Sequence, residues 1–412
     1  MSGALPILFD TSRSKAAGNC QRERWWHYEY PTGQPVRGID RKAMALPLAT
    51  GIYVHNGLAS VLGGKGIDEA IVEAVAEYKV ECMRRGLNAE VASDVTYVID
   101  EQAALIEALV RGWVRVRMPA LLAEYDVLDV EREEWTALTP GLGTDSVAGR
   151  FPPVEFQSRA DVLLKRKGDG TVFDMNFKTT GTVDDRWVRA WETDVQTLSE
   201  IIPIERRLGV QLGGVLIEGL YKGARVPDKD KATGDTVRVR SRSSLIYGYK
   251  HPGNPPFEEA AYSGEYTSRK GWSRFNVWQE KAFGTAPVKY WVENVLIEEE
   301  LQGQFVSVPP ILRAESMIAD WTEQQVYAER RIRAARDAYD AATTDAERRR
   351  ILNEHFPQTF AACDRFGRCA FADLCHSDAI KDDPVGSGLY IERTAHHPKE
   401  LEAALAAKEA SS

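Results

Sequence analysis

Residues 153–180 read PVEFQSRADVLLKRKGDGTVFDMNFKTT. Two runs of strand-like alternation flank the Gly168-Asp169-Gly170 turn, which predicts an antiparallel hairpin. Upstream, YDVLDVEREEW at 125–135 has the same period and predicts a neighbouring strand. Downstream, a helix is expected over 186–208, and LGGVLIEGLY at 212–221 reads as a further strand. Strands on both sides of a helix make the core α/β. Before it, 67–85 and 101–125 place apolar residues three and four apart, so residues 1–125 are expected to be mainly helical packing elements. The remaining segments are a core at 126–222, an insertion at 223–310, a helical part at 311–380 and a tail at 381–412.

The period of two sets Asp174, Asn176 and Lys178 on one face of the second hairpin strand, with Asp161 near them on the first. Carboxylate and amide oxygens can hold a hard divalent cation, and a lysine beside them can act on a water or a phosphate. An exposed polar strand face would give the same pattern by chance. The five cysteines are unevenly spread: Cys20 and Cys82 come early, and Cys363, Cys369 and Cys375 follow much later with five residues between neighbours. An odd count without an export signal suggests reduced thiols or ligands rather than disulfides. Cys82, in an amphipathic helix, is expected to be a small buried residue.

The chain has 412 residues, 43% hydrophobic and 27% charged, which excludes a disordered or collagen-like chain. No apolar run is long enough for a membrane helix, so a cytoplasmic, membrane-free protein is expected. The net charge of −9 argues against a protein basic over its whole surface. A local exception is 222–250, where eight basic residues, Lys222 and Arg225 among them, face three acidic ones. That stretch reads as a solvated loop or as a phosphate-contacting arm. The aromatics of 252–310, including Trp272, Trp278 and Trp291, read as core. No Gly-x-x-x-x-Gly-Lys-Ser/Thr loop occurs, so a helicase motor would have to be a separate partner.

Four ordered motifs resemble the PD-(D/E)xK nuclease superfamily, in its RecB-like exonuclease branch that carries an iron–sulfur staple and includes AddB subunits and CRISPR adaptation nucleases. GIYVH at 51–55 resembles the branch's Gly-x-x-x-His, and SRADVLL at 158–164 its Gly-Arg-x-Asp strand. NFKTTG at 176–181 resembles Asp-x-Lys-Thr-x-Gly, and Gln196 in DVQTLSE the start of Gln-x-x-x-Tyr. The resemblance implies a restriction-endonuclease-like core that cleaves DNA with Mg²⁺ or Mn²⁺, acting on single strands or ends in recombination, repair or replication, as stand-alone phage relatives do. His55, Asp161, Asp174 and Asn176 would be the metal ligands and Lys178 the catalytic lysine. Gln196, Arg159, Lys222 and Arg225 would contact DNA, with Glu155 assisting or, alternatively, a plain strand carboxylate. One early and three late cysteines also match the branch, which implies a 4Fe–4S cluster on Cys20, Cys363, Cys369 and Cys375; zinc is the alternative for four thiolates.

The chain departs from the pattern in two places. Asn176 stands where the branch has its second acidic ligand, so Asp174 takes over, the site is impaired, or an acid has been exchanged for an amide. Glu200 stands where tyrosine closes Gln-x-x-x-Tyr, which leaves Gln196 to carry that contact alone.

Overall fold

The computed structural model describes residues 6–43, 46–85, 93–138, 152–222, 225–229, 236–241, 247–250, 277–280, 289–292, 305–364 and 368–411. Between 225 and 292 it describes backbone only.

The hairpin forms as expected. Strands β3 (Tyr125–Ala137), β4 (Val154–Arg166) and β5 (Val172–Thr180) run antiparallel to one another in sequence order. At the turn, Gly170 takes a left-handed φ of 76° and the Asp169 carboxylate accepts from Thr171 N–H at 3.0 Å. Strand β6 (Val215–Tyr221) then lies parallel to β5, and β12 (Phe305–Ile311) closes that edge antiparallel to β6. Two strands of this sheet escaped the sequence reading: β12, and β1 (Ile7–Asp10), which lies parallel to β4. Four residues give too short a pattern to read alone. The chain is thus an α/β protein with a mixed central sheet of six strands flanked by helices. The intervening segment adds β7 (Arg225–Lys229), β8 (Thr236–Ser241), β9 (Tyr247–Lys250), β10 (Val277–Glu280) and β11 (Lys289–Val292), paired in two small sheets.

Helices cover both faces, which is why β5 is buried from Phe173 through Phe177 instead of alternating in exposure. Phe173, Met175 and Phe177 pack against α3 (Leu46–Leu62), α4 (Ile67–Arg84) and α5 (Ser93–Val116) through Val54, Leu58, Tyr78 and Trp113. Cys82 is buried in the same core. On the opposite face Ala160, Leu163 and Ile217 meet Ile201 and Ile204.

Two helices expected as continuous are divided. The run at 101–125 breaks into α5 and α6 (Met118–Glu124), where Pro119 in the first turn has no N–H to give. The run at 186–208 becomes α7 (Asp185–Ala190), α8 (Val195–Ser199) and α9 (Ile201–Leu208), because the Asp184 and Asp194 side chains cap the first two. The helical part expected at 311–380 likewise divides, into Glu315–Ala341 and Asp345–His355 at a Thr344–Glu347 capping box.

The tail is part of the fold. Strand β13 (Tyr390–Glu392) pairs with β2 (Ile39–Arg41), and on the helix Pro398–Ser411 Glu400 receives both Arg13 and Arg393. Arg24, from α2 (Gln21–Arg24), is fully enclosed and bonds Glu329 through both terminal nitrogens at 3.0 and 2.8 Å and Glu29 at 3.0 Å. Both ends of the chain therefore dock on the long helix and the sheet. Among the described residues, no helix is long and apolar enough to cross a membrane.

Candidate functional site

Strand β4 has two edges. Strand β3 takes the whole of one, while β1 pairs with residues 154–157 and β5 with 162–165 along the other. Residues 158–161 are left without a ladder partner on that edge, and β5 splays from β4 after Met175. Into this gap the Asp161 carboxylate accepts the Phe177 N–H at 2.8 Å, so a side chain replaces the ladder bond. The free end of the hairpin holds the polar groups.

Helix α3 brings His55. At Gly51 an added Cβ would stand 2.8 Å from Thr179 Oγ1 on β5, so glycine allows helix and strand to approach closely. One turn later His55 Nδ1 lies 3.3 Å from Asp161 Oδ2. This gives Gly-x-x-x-His a physical basis: the glycine seats the helix and the histidine, four residues on, shares its face. Burial alone would push the Asp161 carboxyl up, but His55, Lys178 and the Phe177 N–H outweigh it and hold it at about 2.

The other residues join through Asn176, which is completely buried. Its Oδ1 accepts from Lys178 Nζ at 3.1 Å and from Gln196 Nε2 at 2.8 Å. Its Nδ2 donates to Asp174 Oδ2 at 3.2 Å and to Glu200 Oε2 at 2.8 Å. Lys178 Nζ also lies 5.6 Å from the centre of the Trp191 ring. Asp174 is fully enclosed, and its Oδ1 meets no hydrogen-bond donor among the described residues. Burial and the neighbouring Glu200 carboxyl push Asp174 well above the usual carboxylate range; burial likewise raises Glu200, partly offset by Lys178.

Two carboxylates at the site were absent from the candidate ligand set. Glu200 was read as a departure that weakened the DNA contact, yet the corner between α8 and α9 turns it inward to Asn176 and Gln196. The signal was its place four residues after Gln196, one helical turn away. Glu131 lies opposite Asp161 in the β3–β4 register, between the pairs Val130–Val162 and Arg132–Ala160. Its carboxyl is raised by burial and by Asp161. Only the acidic run at 131–134 hinted at it.

Four expected residues stand differently. Glu155 is six residues from Asp161, about 20 Å along an extended strand, and pairs with Lys399 of the C-terminal helix. A role beside the hairpin ligands is therefore corrected to a tie between strand and tail. Arg159 is exposed and pairs with Glu131 at 3.0 Å. Lys222 is half-buried just past β6, where its N–H donates to Thr180 C=O at 2.7 Å. The Arg225 side chain lies outside the described residues, as do the side chains of the basic and aromatic segments at 223–304.

Elsewhere, Cys20, Cys363, Cys369 and Cys375 line one small cavity, all as free thiols. The Thr359 N–H points to Cys20 Sγ at 3.3 Å, and the Cys369 N–H donates to Cys363 C=O at 2.7 Å. Burial pushes the Cys369 thiol up to about 11, with Glu23 and the neighbouring thiols adding to it. A shared cavity between four thiols fits a group that fills space and accepts thiolates.

At the hairpin, the oxygen-rich donor set with an orphaned Asp174 oxygen fits a hard divalent cation. As placed, no three His, Cys, Asp or Glu side chains among the described residues stand close enough to grip one ion. Binding at either location thus requires the donors to draw together. In comparisons with known proteins, the chain matches no family model and no curated protein sequence.

Proposed function

We propose that the protein is a metal-dependent deoxyribonuclease with a PD-(D/E)xK-type core, acting on single-stranded DNA or DNA ends with Mg²⁺ or Mn²⁺. The observation that carries this reading is the meeting of His55, Asp161, Asp174, Asn176, Lys178 and Gln196 at the splay between β4 and β5, from three separate stretches of chain. His55, Asp161 and Asp174 would hold the cation, with the Asn176 Oδ1 as a neutral donor. When bound, such an ion polarises a phosphate oxygen and acidifies a water.

The side chains account for the remaining roles. His55 keeps Asp161 ionised and oriented, and the Phe177 N–H fixes its rotamer. Lys178 extends from the half-buried end of β5, where its ammonium can orient a water and offset negative charge developing on phosphate. Gln196 fixes the Asn176 amide, which in turn positions Lys178. Four thiolates at Cys20, Cys363, Cys369 and Cys375 would hold a 4Fe–4S cluster that joins the chain's two ends, with no part in hydrolysis. A helicase or recombination partner would be supplied in trans.

A second reading, DNA binding without cleavage, is favoured by one observation: Asn176 Oδ1 already receives two donors, so its lone pairs are committed. Degradation of end-labelled single-stranded DNA with Mn²⁺ separates the two. The chain as given should degrade DNA and Lys178→Ala should lose at least about a hundredfold in rate, the scale of a positioned acid–base group. Equal rates in Lys178→Ala would sink the assignment. Silence in the given chain with activity in Asn176→Asp would establish the second reading, and silence in both would remove the nuclease.

A further inference from the structure

A buried carboxylate is costly without a positive partner, and Glu200 raises that problem at the candidate site. It occupies the residue shared by the end of α8 and the start of α9, with 3% of its surface exposed. Its amide donors, Asn176 Nδ2 to Oε2 and Gln196 Nε2 to Oε1, are neutral and both at 2.8 Å, and its remaining hydrogen-bond partner is another acid, Asp174. Lys178, the ammonium within range, gives its hydrogen bond to Asn176 Oδ1 instead. Beside Glu200 is Asp174, fully enclosed with an oxygen that meets no donor among the described residues.

Neither amide bond needs a charge at position 200. Packing accounts for two acceptor oxygens at position 200, since Asn176 donates to Oε2 and Gln196 to Oε1 and a glutamine could accept only one of them, yet it gives no reason to face that acid with a second buried one. A divalent cation does, because it neutralises both facing carboxylates and takes the orphaned Asp174 oxygen as a ligand. The same position explains the amide at 176. With one acid on the strand face at 174 and another on the helix corner, an aspartate at 176 would put three carboxylates in a single enclosed pocket; asparagine instead donates to both acids and holds them in place.

We propose that Glu200 is the second acidic cation ligand, so that the charge missing from position 176 is supplied from the α8–α9 corner; this rests on the reading of the site as a divalent-cation centre. The carboxylates are then divided between strands β4 and β5 and a helix end, and Asn176 is their bridging donor.

The test is Mn²⁺ binding by the full chain in the absence of DNA, measured by calorimetry and by the loss of the free-Mn²⁺ electron paramagnetic resonance signal. Melting curves recorded without metal report folding. Glu200→Gln, which removes the charge and one of the two acceptor oxygens, should still melt cooperatively while binding Mn²⁺ at least tenfold more weakly. Asn176→Asp/Glu200→Gln, which restores the charge at the other position, should recover most of that affinity. If Glu200→Gln binds as tightly as the given chain while Asp161→Asn does not, Glu200 is not a ligand, although the cation centre stands. If neither the given chain nor Asn176→Asp binds Mn²⁺, the centre itself fails and the inference falls with it. Should Glu200→Gln unfold, Glu200→Asp decides: the shortened carboxylate must weaken Mn²⁺ binding, and unchanged affinity overturns the proposal.

Discussion

At position 131 the backbone takes a φ of 48°, the one non-glycine residue with positive φ among those described. A left-handed conformation costs a side-chain-bearing residue about 1 kcal/mol, and here it occurs inside a strand, directly opposite another acid. Like charges on facing strand positions also destabilise. The compensating ion pair runs to Arg159, an exposed side chain, and pairs of that kind contribute less than about 1 kcal/mol. Glu131→Gly should therefore raise the melting temperature in metal-free buffer, since glycine tolerates the conformation and removes the repulsion. Glu131→Val should lower it, because β-branching is poorly suited to positive φ. A fall with glycine would mean that the Glu131 side chain packs rather than strains. Strain of this kind is common at functional positions, and Glu131 shares its surroundings with Asp161, His55 and Lys178.

The glycine of α3 shows what an element contributes. Helix propensity alone makes Gly51→Ala favourable by about 1 kcal/mol. Contact reverses the sign, because the new methyl would meet Thr179 Oγ1 at 2.8 Å and push the helix off β5. Overpacking at such a site costs about 1–3 kcal/mol, and the displacement would carry His55 away from Asp161. Gly51→Ala is expected to destabilise the chain and weaken Mn²⁺ binding together, and Thr179→Ala in the same chain should restore both. Thermal melts and Mn²⁺ titration of the single and double variants check this; no recovery in the double variant would place the conflict elsewhere. The divided helices make a related point. Apolar spacing located each helical stretch, but Pro119, Asp194 and Thr344 set where each one stops. A further break, between α8 and α9, turns Glu200 toward the sheet.

Across the whole molecule, the ends of the chain converge. Cys20 shares a cavity with three thiols more than 340 residues later, and Trp25, Phe356, Phe371 and Tyr390 form one core around that junction. If a cluster joins the four thiolates it closes a very long loop, whose entropic cost in the unfolded chain grows with its length. Cys369→Ser should then lower the melting temperature by roughly 5 °C or more, on the scale expected for losing a few kcal/mol. The anaerobically purified chain should be yellow-brown and the variant paler. An unchanged melting temperature would count against the staple, and a colourless preparation with stoichiometric zinc would replace the cluster with zinc. Arg24, Glu29 and Glu329 join the same regions without a metal, so destabilisation rather than complete unfolding is expected.

By itself the sequence determined the α/β hairpin core, the common face of Asp174, Asn176 and Lys178, the helix-borne His55 and the four candidate thiols. The hairpin and the shared face follow from local rules, since a period of two fixes the direction of strand side chains and a Gly-Asp-Gly turn sets the register; His55 and the set of four thiols came only from the resemblance of the ordered motifs to a nuclease branch. Tertiary structure decided the rest. It added β1 and β12 to the sheet, turned the tail into a docked element, moved Glu155 out of the site and brought Glu131 and Glu200 into it. Periodicity tells which way a side chain points from its own element, and not which distant element faces it. Glu200 meets Asn176 only because α8 and α9 fold back over the sheet between β5 and β6, a contact fixed by burying Ile201 and Ile204 rather than by any pattern around Glu200 itself.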